Sequence, residues 1–261
     1  MSLLVRNVWK SFTHKGATQH VLRDVDLIVE PGSFVTLAGH SGCGKSTLIN
    51  LLGGLTRPDA GEISLDGTPV RDPGPDRAMV FQNYSLLPRC SVVDNVRIAV
   101  RSARPDRSKE QVDEVTERYL TAVGLWDAKD KKPYQVSGGM QQRAAVARGF
   151  AVEPRVLLLD EPFGALDALT RARLQNQLVE LWTSESDTEM VVMVTHSIDE
   201  AVRLSDHIVV LGPPPGPSVL EVIPVPIARP RDRTTHARAL EKAHQRLYSL
   251  LEAEPVVEQV A

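Results

Sequence analysis

The stretch Gly39-His40-Ser41-Gly42-Cys43-Gly44-Lys45-Ser46-Thr47 matches G-x-x-x-x-G-K-[ST], the pattern of phosphate-binding P-loops. An apolar, β-prone run over residues 33–38 precedes it, and residues 48–52 favour a helix that ends at two glycines. Strand, glycine loop and helix in this order predict backbone N–H groups and a helix N-terminus that face an anion. Lys45 is placed to reach the β- and γ-phosphates, and the Ser46 hydroxyl is placed to bind Mg²⁺. The motif indicates a nucleoside triphosphate, and it does not by itself separate a kinase, a GTPase and a transport ATPase.

Length and composition indicate an ordinary globular protein. The 261 residues suffice for one large domain or two modest ones, with 42% hydrophobic and 24% charged residues. The net charge of −3 gives no indication of a nucleic-acid partner. Cys43 and Cys90 form no disulfide framework, so a reducing cytosol is the expected compartment. With no signal-peptide pattern and no apolar run near ~20 residues, any membrane role is expected to go through a partner.

Two neighbouring carboxylates follow the most apolar segment of the chain. Residues 155–159 form a continuous apolar run, which predicts a strand buried on both faces, and the run ends in Asp160-Glu161. The carboxyl end of a parallel strand is where α/β folds place their chemistry. Asp160 can hold the Mg²⁺ shell, and Glu161 can polarise a water for in-line attack on a γ-phosphate.

Two further polar residues also end predicted strands. Gln82 follows the strand 77–81, and can bind Mg²⁺ weakly and hold the attacking water, or be only a polar loop residue. His196 follows the strand 190–195 and can hydrogen-bond a γ-phosphate, with a purely structural histidine as the alternative. Ser197 and Glu200 have capping-box spacing, which predicts a rigid helix start directly after His196.

A second helix start in the chain also has the composition of an anion site. Ser137 is predicted as an N-cap, and Gly138 and Gly139 expose the N-terminal amides of the helix that follows to Val152. An ordinary helix cap is the alternative. Phe12, in a predicted polar turn over residues 11–16, can stack on a nucleotide base or serve as a core or turn aromatic.

The remaining pattern alternates strands with helices. Ser108 and Gln111 fit a capping box within a helical insertion over residues 104–135, whose first helix stops at Gly124. The last strand of the core is expected at 206–211, followed by a Pro-rich linker at 213–217. Other predicted strands lie at 3–9, 21–30 and 62–66, a short hairpin arm at 219–227, further helices at 91–100, 168–185 and 234–251, and a frayed end from residue 252.

The whole set of motifs resembles the ATP-binding cassette (ABC) ATPases over nearly all of residues 3–211. The segment Val136-Ser137-Gly138-Gly139-Met140-Gln141 is similar to the signature motif peculiar to that family. By the resemblance, residues 39–47 are Walker A, Gln82 is the Q-loop glutamine, and Asp160 with Glu161 is Walker B with its catalytic base. The remaining equivalents are Asp167 in the D-loop, His196 as the switch histidine and Phe12 as the adenine-stacking aromatic.

The resemblance implies an α/β fold. This fold has a P-loop NTPase core with a mostly parallel sheet, an N-terminal antiparallel β subdomain and a helical insertion at about 83–152. The expected ABC ATPase domain is 1–212, and 213–261 is expected to be a C-terminal extension with a Pro-rich crossing loop and a terminal helix. ATP and Mg²⁺ are the expected cofactors. Two cassettes, this chain with itself or with a sister chain, are expected to pair head to tail around ATP.

The expected site residues fall into three groups. The catalytic residues are Glu161, His196 and Gln82, and the metal ligands are Ser46, Gln82 and Asp160. The nucleotide-binding residues are Phe12, Gly39, His40, Ser41, Gly42, Cys43, Gly44, Lys45, Ser46, Thr47, Ser137, Gly138, Gly139, Gln141 and Asp167.

A narrower resemblance points to the nitrate, sulfonate, taurine and bicarbonate importer branch. It rests on residues 74–77, 80–88, 161–170 and 229–233, with nitrate-type members nearest through Asn83-Tyr84-Ser85. It implies membrane-spanning permease subunits, an extracytoplasmic solute-binding protein and a place on the cytoplasmic face of the membrane. The sequence departs from the branch at Val136 (usually Leu), Ser197 (usually Asp) and Arg89 (usually Trp).

The expected function is therefore ATP hydrolysis that powers import of a small oxyanion, nitrate-like in the first instance. Sulfonate or taurine and bicarbonate or cyanate import are the alternatives within the branch. Outside it stand a soluble ABC ATPase acting on ribosomes or DNA, an exporter subunit and a nucleotide-binding regulatory module. The single cassette argues against a soluble ABC ATPase, and the importer-like loop argues against an exporter subunit. The intact Glu161 and His196 argue against a regulatory module that only binds nucleotide.

Overall fold

The computed structural model describes residues 2–14, 17–164, 166–214, 216–229, 231 and 235–252, with only the backbone of His14 and Glu185. The frayed end predicted from residue 252 falls almost wholly outside these residues, as do parts of the predicted linker and of the segments 161–170 and 229–233. The chain divides into two compact units, Met1–Pro73 with Met190–Ala261, and Gly74–Glu189. Within the described ranges, no helix is both long and apolar enough to cross a membrane.

The elements are numbered in chain order. The strands are β1 (Leu3–His14), β2 (Ala17–Val29), β3 (Phe34–Gly39), β4 (Ala60–Leu65), β5 (Thr68–Pro69), β6 (Arg77–Val80), β7 (Val156–Asp160), β8 (Met190–Val194), β9 (His207–Leu211) and β10 (Val219–Pro224). The helices are α1 (Lys45–Leu52), α2 (Val92–Ala103), α3 (Lys109–Ala122), α4 (Gly138–Ala151), α5 (Ala168–Glu180), α6 (Ile198–Leu204) and α7 (Ala237–Glu252).

An antiparallel sheet forms the N-terminal part of the first unit, in the strand order β2-β1-β4-β5. The predicted antiparallel subdomain is thereby confirmed. The predicted turn over 11–16 is wrong for its first four residues, because β1 and β2 continue to pair as far as His14 and Ala17. Register shifts along β1 twist the ladder without ending it, and nothing in the local sequence marks them.

A second sheet of the same unit has the order β10-β9-β3-β8. Strands β8, β3 and β9 are parallel, and β3 and β8 are buried along their whole length, as their apolar runs predict. Strand β10 adds antiparallel to β9. The expectation that 206–211 ends the core is therefore wrong, and 219–227 contributes one strand of this sheet instead of a separate hairpin arm.

The C-terminal helix packs into the core of the first unit. The predicted stripe of Leu240, Ala243 and Leu247 is buried against β9, β10 and α6, with Leu250 partly buried beside it. Arg231 fastens the preceding segment, because its guanidinium donates to Ile227 O and to Asp206 Oδ1 at 2.9 and 2.7 Å. The domain boundary at residue 212 stays a prediction.

The second unit combines the parallel pair β6–β7 with the helices α2 to α5. The predicted capping box at the start of α3 is present, since Ser108 and Gln111 exchange both hydrogen bonds. Helix α4 passes so close to the strands that a Cβ on Gly149 would lie 2.9 Å from Val80 Cγ2 and 3.1 Å from Leu157 Cδ1. The helix predicted over 168–185 is α until Glu180, and a π-helical turn completes it.

Candidate nucleotide-binding and hydrolysis site

The glycine loop lies between β3 and α1, as the sequence predicts. Gly39 (φ 153°) and Gly44 (φ 99°) occupy backbone conformations that favour glycine. A Cβ on Gly39 would lie 2.5 Å from Leu211 O, and one on Gly44 would lie 2.7 Å from Leu22 Cδ2. Both glycines are therefore required by the close approach of neighbouring strands as well as by the turn.

Lys45 is buried within this loop, with only 4% of its surface exposed. Its Nζ donates to Gly39 O at 2.7 Å and to His40 O at 2.8 Å, and lies 3.8 Å from Cys43 Sγ. Since no acidic residue occupies the first turn of α1, the helix start and the ammonium group both favour an anion. Ser46 is exposed at the same helix start.

His196 shares a sheet edge with the glycine loop. Strands β3 and β8 are parallel neighbours, with Leu37 opposite Val194, so both end at the same edge. The loop begins after β3, and His196 follows β8 with an exposed side chain. The structure thus brings the P-loop and the predicted switch histidine to one edge of the sheet in the first unit.

Phe12 is not a core aromatic, because 47% of its surface is exposed on β1. Lys10 Nζ lies 5.6 Å from the centre of its ring, within the range of a cation–π contact. An exposed ring of this kind is free to stack on a planar base.

The two predicted catalytic residues of the second unit are in direct contact. Strands β6 and β7 are parallel, so Gln82 and Glu161 follow them at one edge, and Gln82 Nε2 donates to Glu161 Oε2 at 3.0 Å. Glu161 has a left-handed backbone, with φ at 48°. Such a conformation costs a non-glycine residue about 1–3 kcal/mol, and six other described non-glycine residues also adopt it. The strand end thereby presents Asp160 and Glu161 in succession.

Helix α4 begins at the predicted signature residues. Ser137 is its N-cap and accepts from Met140 N at 3.3 Å, and the first turn of α4 contains no acidic residue. Ser137 and Gly138 are exposed, whereas Gly139 packs so that a Cβ would lie 2.9 Å from Thr170 Cγ2. Gln141 Nε2 donates to Val136 O at 3.4 Å. The hydrogen bonds at this helix start are those of an ordinary N-cap, and the first residues of the helix start are exposed.

Asp167 caps helix α5. Its Oδ1 accepts from Leu169 N and Thr170 N at 3.1 and 3.0 Å, and these bonds, led by Thr170, lower the pKa of the carboxyl group. The structure therefore gives this predicted nucleotide-site residue a local structural role as an ionised helix cap.

Sequence reasoning missed the contacts of Arg148. From α4 its guanidinium donates to Ser85 O at 2.6 Å and Tyr84 O at 3.0 Å, and burial lowers the pKa of this group. Tyr84 and Ser85 both have positive φ, so the loop after Gln82 is held in a specific shape by the signature helix. No spacing rule marks this pairing, because the partners are 63 and 64 residues apart.

The predicted metal ligands in each unit offer hydroxyl, carboxylate and amide oxygens, which are the donors that Mg²⁺ prefers. The described residues contain no group of three or more His, Cys, Asp or Glu side chains able to hold a metal. Mg²⁺ in nucleotide sites needs no such group, since it binds one or two protein oxygens, phosphates and waters. Ser46 is exposed and Asp160 is half-buried. The Gln82 side chain donates to Glu161 through its amide nitrogen, so its amide oxygen is not used in that hydrogen bond.

Comparison with known proteins establishes the family. The ABC transporter family model matches residues 22–164, more than half of the chain. The chain therefore belongs to the ABC transporter family, as one of its ATP-hydrolysing cassettes.

Within that family the chain is similar to import ATP-binding proteins. It is 47% identical to the nitrate import ATP-binding protein NrtD of Synechococcus elongatus, over 87% of this chain and 82% of that protein. It is 50% identical to the bicarbonate transport ATP-binding protein CmpC of the same organism, over 89% of this chain but only 35% of that longer protein.

Among solved structures, a dimeric post-hydrolysis state of the ATP-binding cassette MJ0796 bound to ADP and Pi is similar. The TM-score is 0.75 at 30% identity, covering 87% of this chain and all of that one.

Proposed function

We propose that this chain hydrolyses MgATP in a head-to-tail pair of cassettes and so powers uptake of a small oxyanion of the nitrate or bicarbonate kind. The observation that carries the hydrolytic part is the 3.0 Å hydrogen bond between Gln82 and Glu161, at the end of a buried parallel pair. A carboxylate oriented by a neutral amide is suited to accept a proton from an attacking water.

Nucleotide binding is assigned to the glycine loop and the helix start behind it. The loop amides and α1 N-terminus receive the phosphates, and Lys45 exchanges its contacts with Gly39 O and His40 O for phosphate oxygens. Phe12 stacks on the base. Ser46, Asp160 and Gln82 would hold Mg²⁺, which would supply positive charge to neutralise the phosphates.

Hydrolysis is assigned to three side chains that end strands. Glu161 accepts a proton from the attacking water, while Gln82 fixes the carboxylate and the water in line with the γ-phosphate. His196 donates a hydrogen bond to the γ-phosphate and responds to its loss after cleavage. Asp167 keeps the start of α5 ordered beside the turn that follows Glu161.

A pair of cassettes accounts for the second exposed helix start. The helix starts of α1 and α4 each follow or contain glycine and have no acidic residue in the first turn, but only α1 carries the P-loop lysine, Lys45. We assign Ser137, Gly138, Gly139 and Gln141 to the nucleotide held by the other cassette. The dimeric state of the similar cassette with ADP and Pi supports this arrangement. A γ-phosphate bridging both faces closes the pair, and its release opens it.

The substrate assignment rests on relatives, because nothing in a cassette touches the transported solute. Import proteins named for nitrate and for bicarbonate are 44–50% identical to this chain, with no gap between the two groups. Both solutes are planar, trigonal, singly charged oxyanions, so we assign that chemical class. Sulfonate or taurine import is the alternative within the branch, and the exposed Arg89 on the partner-docking loop departs from all of its members alike.

The assigned partners are membrane-spanning permease subunits and an extracytoplasmic solute-binding protein. We place this chain on the cytoplasmic face of the membrane, held there by the permease. Leu87, 43% exposed on the loop after Gln82, offers an apolar contact for such a partner.

The pairing is tested by light scattering on purified Glu161→Gln protein with and without MgATP. We expect a monomer that becomes a dimer only with MgATP, because the variant retains the bridging γ-phosphate. A protein that binds MgATP and stays monomeric would assign pairing to a sister cassette, which co-purification with the permease would then identify.

The substrate class is tested in proteoliposomes that contain the cognate permease. ATP hydrolysis is measured with the solute-binding protein and either nitrate, bicarbonate or taurine. We expect stimulation by one of the two planar oxyanions and none by taurine. Stimulation by taurine alone would overturn the assignment while leaving the ATPase assignment intact.

A further inference from the structure

His196 lies between two residues with very different surroundings. Its own side chain is exposed, whereas the preceding Thr195 is only 4% exposed at the end of β8. Glu200, in the first turn of α6, carries a carboxyl group with only 5% of its surface exposed. Burying a carboxylate is costly unless hydrogen bonds satisfy it, so the place of Glu200 calls for a reason.

Three hydrogen bonds form a closed ring around His196. Ser197 N donates to Thr195 Oγ1 at 3.1 Å, and Glu200 N donates to Ser197 Oγ at 3.3 Å. Thr195 Oγ1 donates to Glu200 Oε2 and completes the ring. The Ser197–Glu200 capping box predicted from sequence is thus present in one direction, and its carboxylate engages the threonine hydroxyl.

The ring has a fixed direction. An ionised carboxylate can only accept, so the Thr195 hydroxyl must give its proton to Glu200 and turn a lone pair to Ser197 N–H. The backbone on both sides of His196 is therefore held by one buried hydroxyl. Thr195 N also donates to Leu37 O at 3.5 Å. Leu37 lies on β3, the strand that leads into the glycine loop.

We propose that Thr195 and Glu200 are positioning residues for His196, which hold its backbone so that the exposed imidazole meets the γ-phosphate. The proposal rests on the function assigned to His196 above. The proposal gives a reason for burying the Glu200 carboxyl group at the start of a short helix. It also distinguishes a residue that contacts the nucleotide from residues that position it. His196 touches the nucleotide, and Thr195 and Glu200 act only through it.

The test compares Thr195→Val with Thr195→Ser, each in the wild-type and the His196→Ala background. Valine keeps the shape and removes the hydroxyl, whereas serine keeps the hydroxyl. We measure kcat for ATP hydrolysis and the Kd for MgATP of the full-length protein. We expect Thr195→Val to lower kcat at least tenfold with the Kd changed less than twofold, and Thr195→Ser to retain at least half of the wild-type kcat.

The double variants decide whether the effect passes through the histidine. In the His196→Ala background we expect Thr195→Val to lower kcat by less than twofold, since no imidazole remains to position. An equal loss in both backgrounds would show an independent, structural role and overturn the proposal alone. No effect of His196→Ala by itself would overturn both this proposal and the role assigned to His196.

Glu200→Gln guards against a folding defect in Thr195→Val. The amide keeps an acceptor oxygen for the Thr195 hydroxyl, so we expect its kcat to stay within threefold of wild type, whereas Glu200→Met should reproduce the loss. If Thr195→Val does not fold, the same pair of Glu200 variants in the two His196 backgrounds gives the decision. Equal kcat for Glu200→Gln and Glu200→Met would contradict the proposal.

Discussion

At the scale of single residues, Glu161 combines a strained backbone with a paired carboxylate. Its left-handed backbone lies at the turn after β7, where Gly164 N donates to Glu161 O, and the Gln82 amide donates to its side chain. Left-handed backbone also occurs in ordinary turns of this chain, as at Asp66 and Glu153, so the hydrogen bond to Gln82 is the feature that distinguishes Glu161. This hydrogen bond orients the Glu161 carboxylate, as a general base requires.

Replacement of Glu161 by glutamine should preserve nucleotide binding and remove turnover. The amide is isosteric but cannot accept the proton of the attacking water, so we expect kcat to fall at least a hundredfold, in the range typical of general bases. The Kd for MgATP should change little. Steady-state phosphate release and equilibrium binding give the two quantities. Glu117→Gln on α3 is the matched control, and near-normal hydrolysis by Glu161→Gln would place the base elsewhere.

Lys45→Ala should abolish tight ATP binding. The substitution removes the one ammonium group within the described loop and leaves Gly39 O and His40 O without this donor. Isothermal titration with MgATP should show at least a hundredfold weaker binding, and Lys109→Ala on the exposed face of α3 should bind normally. An unchanged affinity would remove the P-loop assignment.

The sequence predicts roles for some of these residues and gives no indication of a role for others. The P-loop, Asp160-Glu161, Gln82 and His196 carry their signal in local order along the chain. Arg148 and the Thr195–Glu200 pair depend on where a side chain lands after folding. The residue types and their spacing within one segment cannot predict such contacts. The structure is needed to identify them.

At the scale of elements, helix α4 serves two purposes at its two ends. Its N-terminus exposes Ser137 and Gly138, while its C-terminal half packs through Gly149 against β6 and β7. Gly149 costs the helix up to ~1 kcal/mol in helix propensity relative to alanine. The close packing explains it, because any side chain at this position would collide with Val80. The sequence predicted this helix and gave no reason for the glycine.

Gly149→Ala should destabilise the protein by about 1–2 kcal/mol, since overpacking outweighs the gain in helix propensity. Chemical denaturation measures the change. Val80→Ala removes the methyl group that the new Cβ would meet, so the double variant should lose about 1 kcal/mol less than the sum of the single losses. Strictly additive losses would mean that the close contact is not the cause.

Ser137→Arg should leave MgATP binding to the single cassette intact and stop hydrolysis. The long cationic side chain occupies the exposed helix start that we assign to the other cassette's nucleotide. Ser108→Arg, at the N-cap of α3 in the same unit, is the matched control. Binding and turnover of both variants decide the matter, and full activity of Ser137→Arg would rule out the paired arrangement.

At the scale of the whole chain, the order of motifs was sufficient to predict the family and both sheets. Short-range rules failed where long-range pairing decided the outcome. Residues 11–14 continue a strand because β2 lies opposite, and 219–224 form a strand because β9 offers an edge. Neither segment carries a distinctive local signal, so their strand state could not be derived from their own residues.

Removal of everything after Gly212 should destabilise the first unit. Ile223, Leu240 and Leu247 are buried against Ile208 and Val210, and each such side chain contributes about 1.5–3 kcal/mol. We expect a lower melting temperature and aggregation on size-exclusion chromatography. A chain that ends at Glu252 keeps α7 and is the control. A stable, ATP-binding 1–212 fragment would instead support the predicted domain boundary.

The ammonium of Lys45, bound by the carbonyls of its own loop, has a consequence for a starving cell. A buried cation that depended on nucleotide for its partners would endanger the fold whenever ATP ran short. Here carbonyl oxygens of the loop itself accept two hydrogen bonds from the ammonium group, so we expect the cassette to stay folded when ATP is scarce. Uptake can then resume as soon as ATP returns, without synthesis of new transporter.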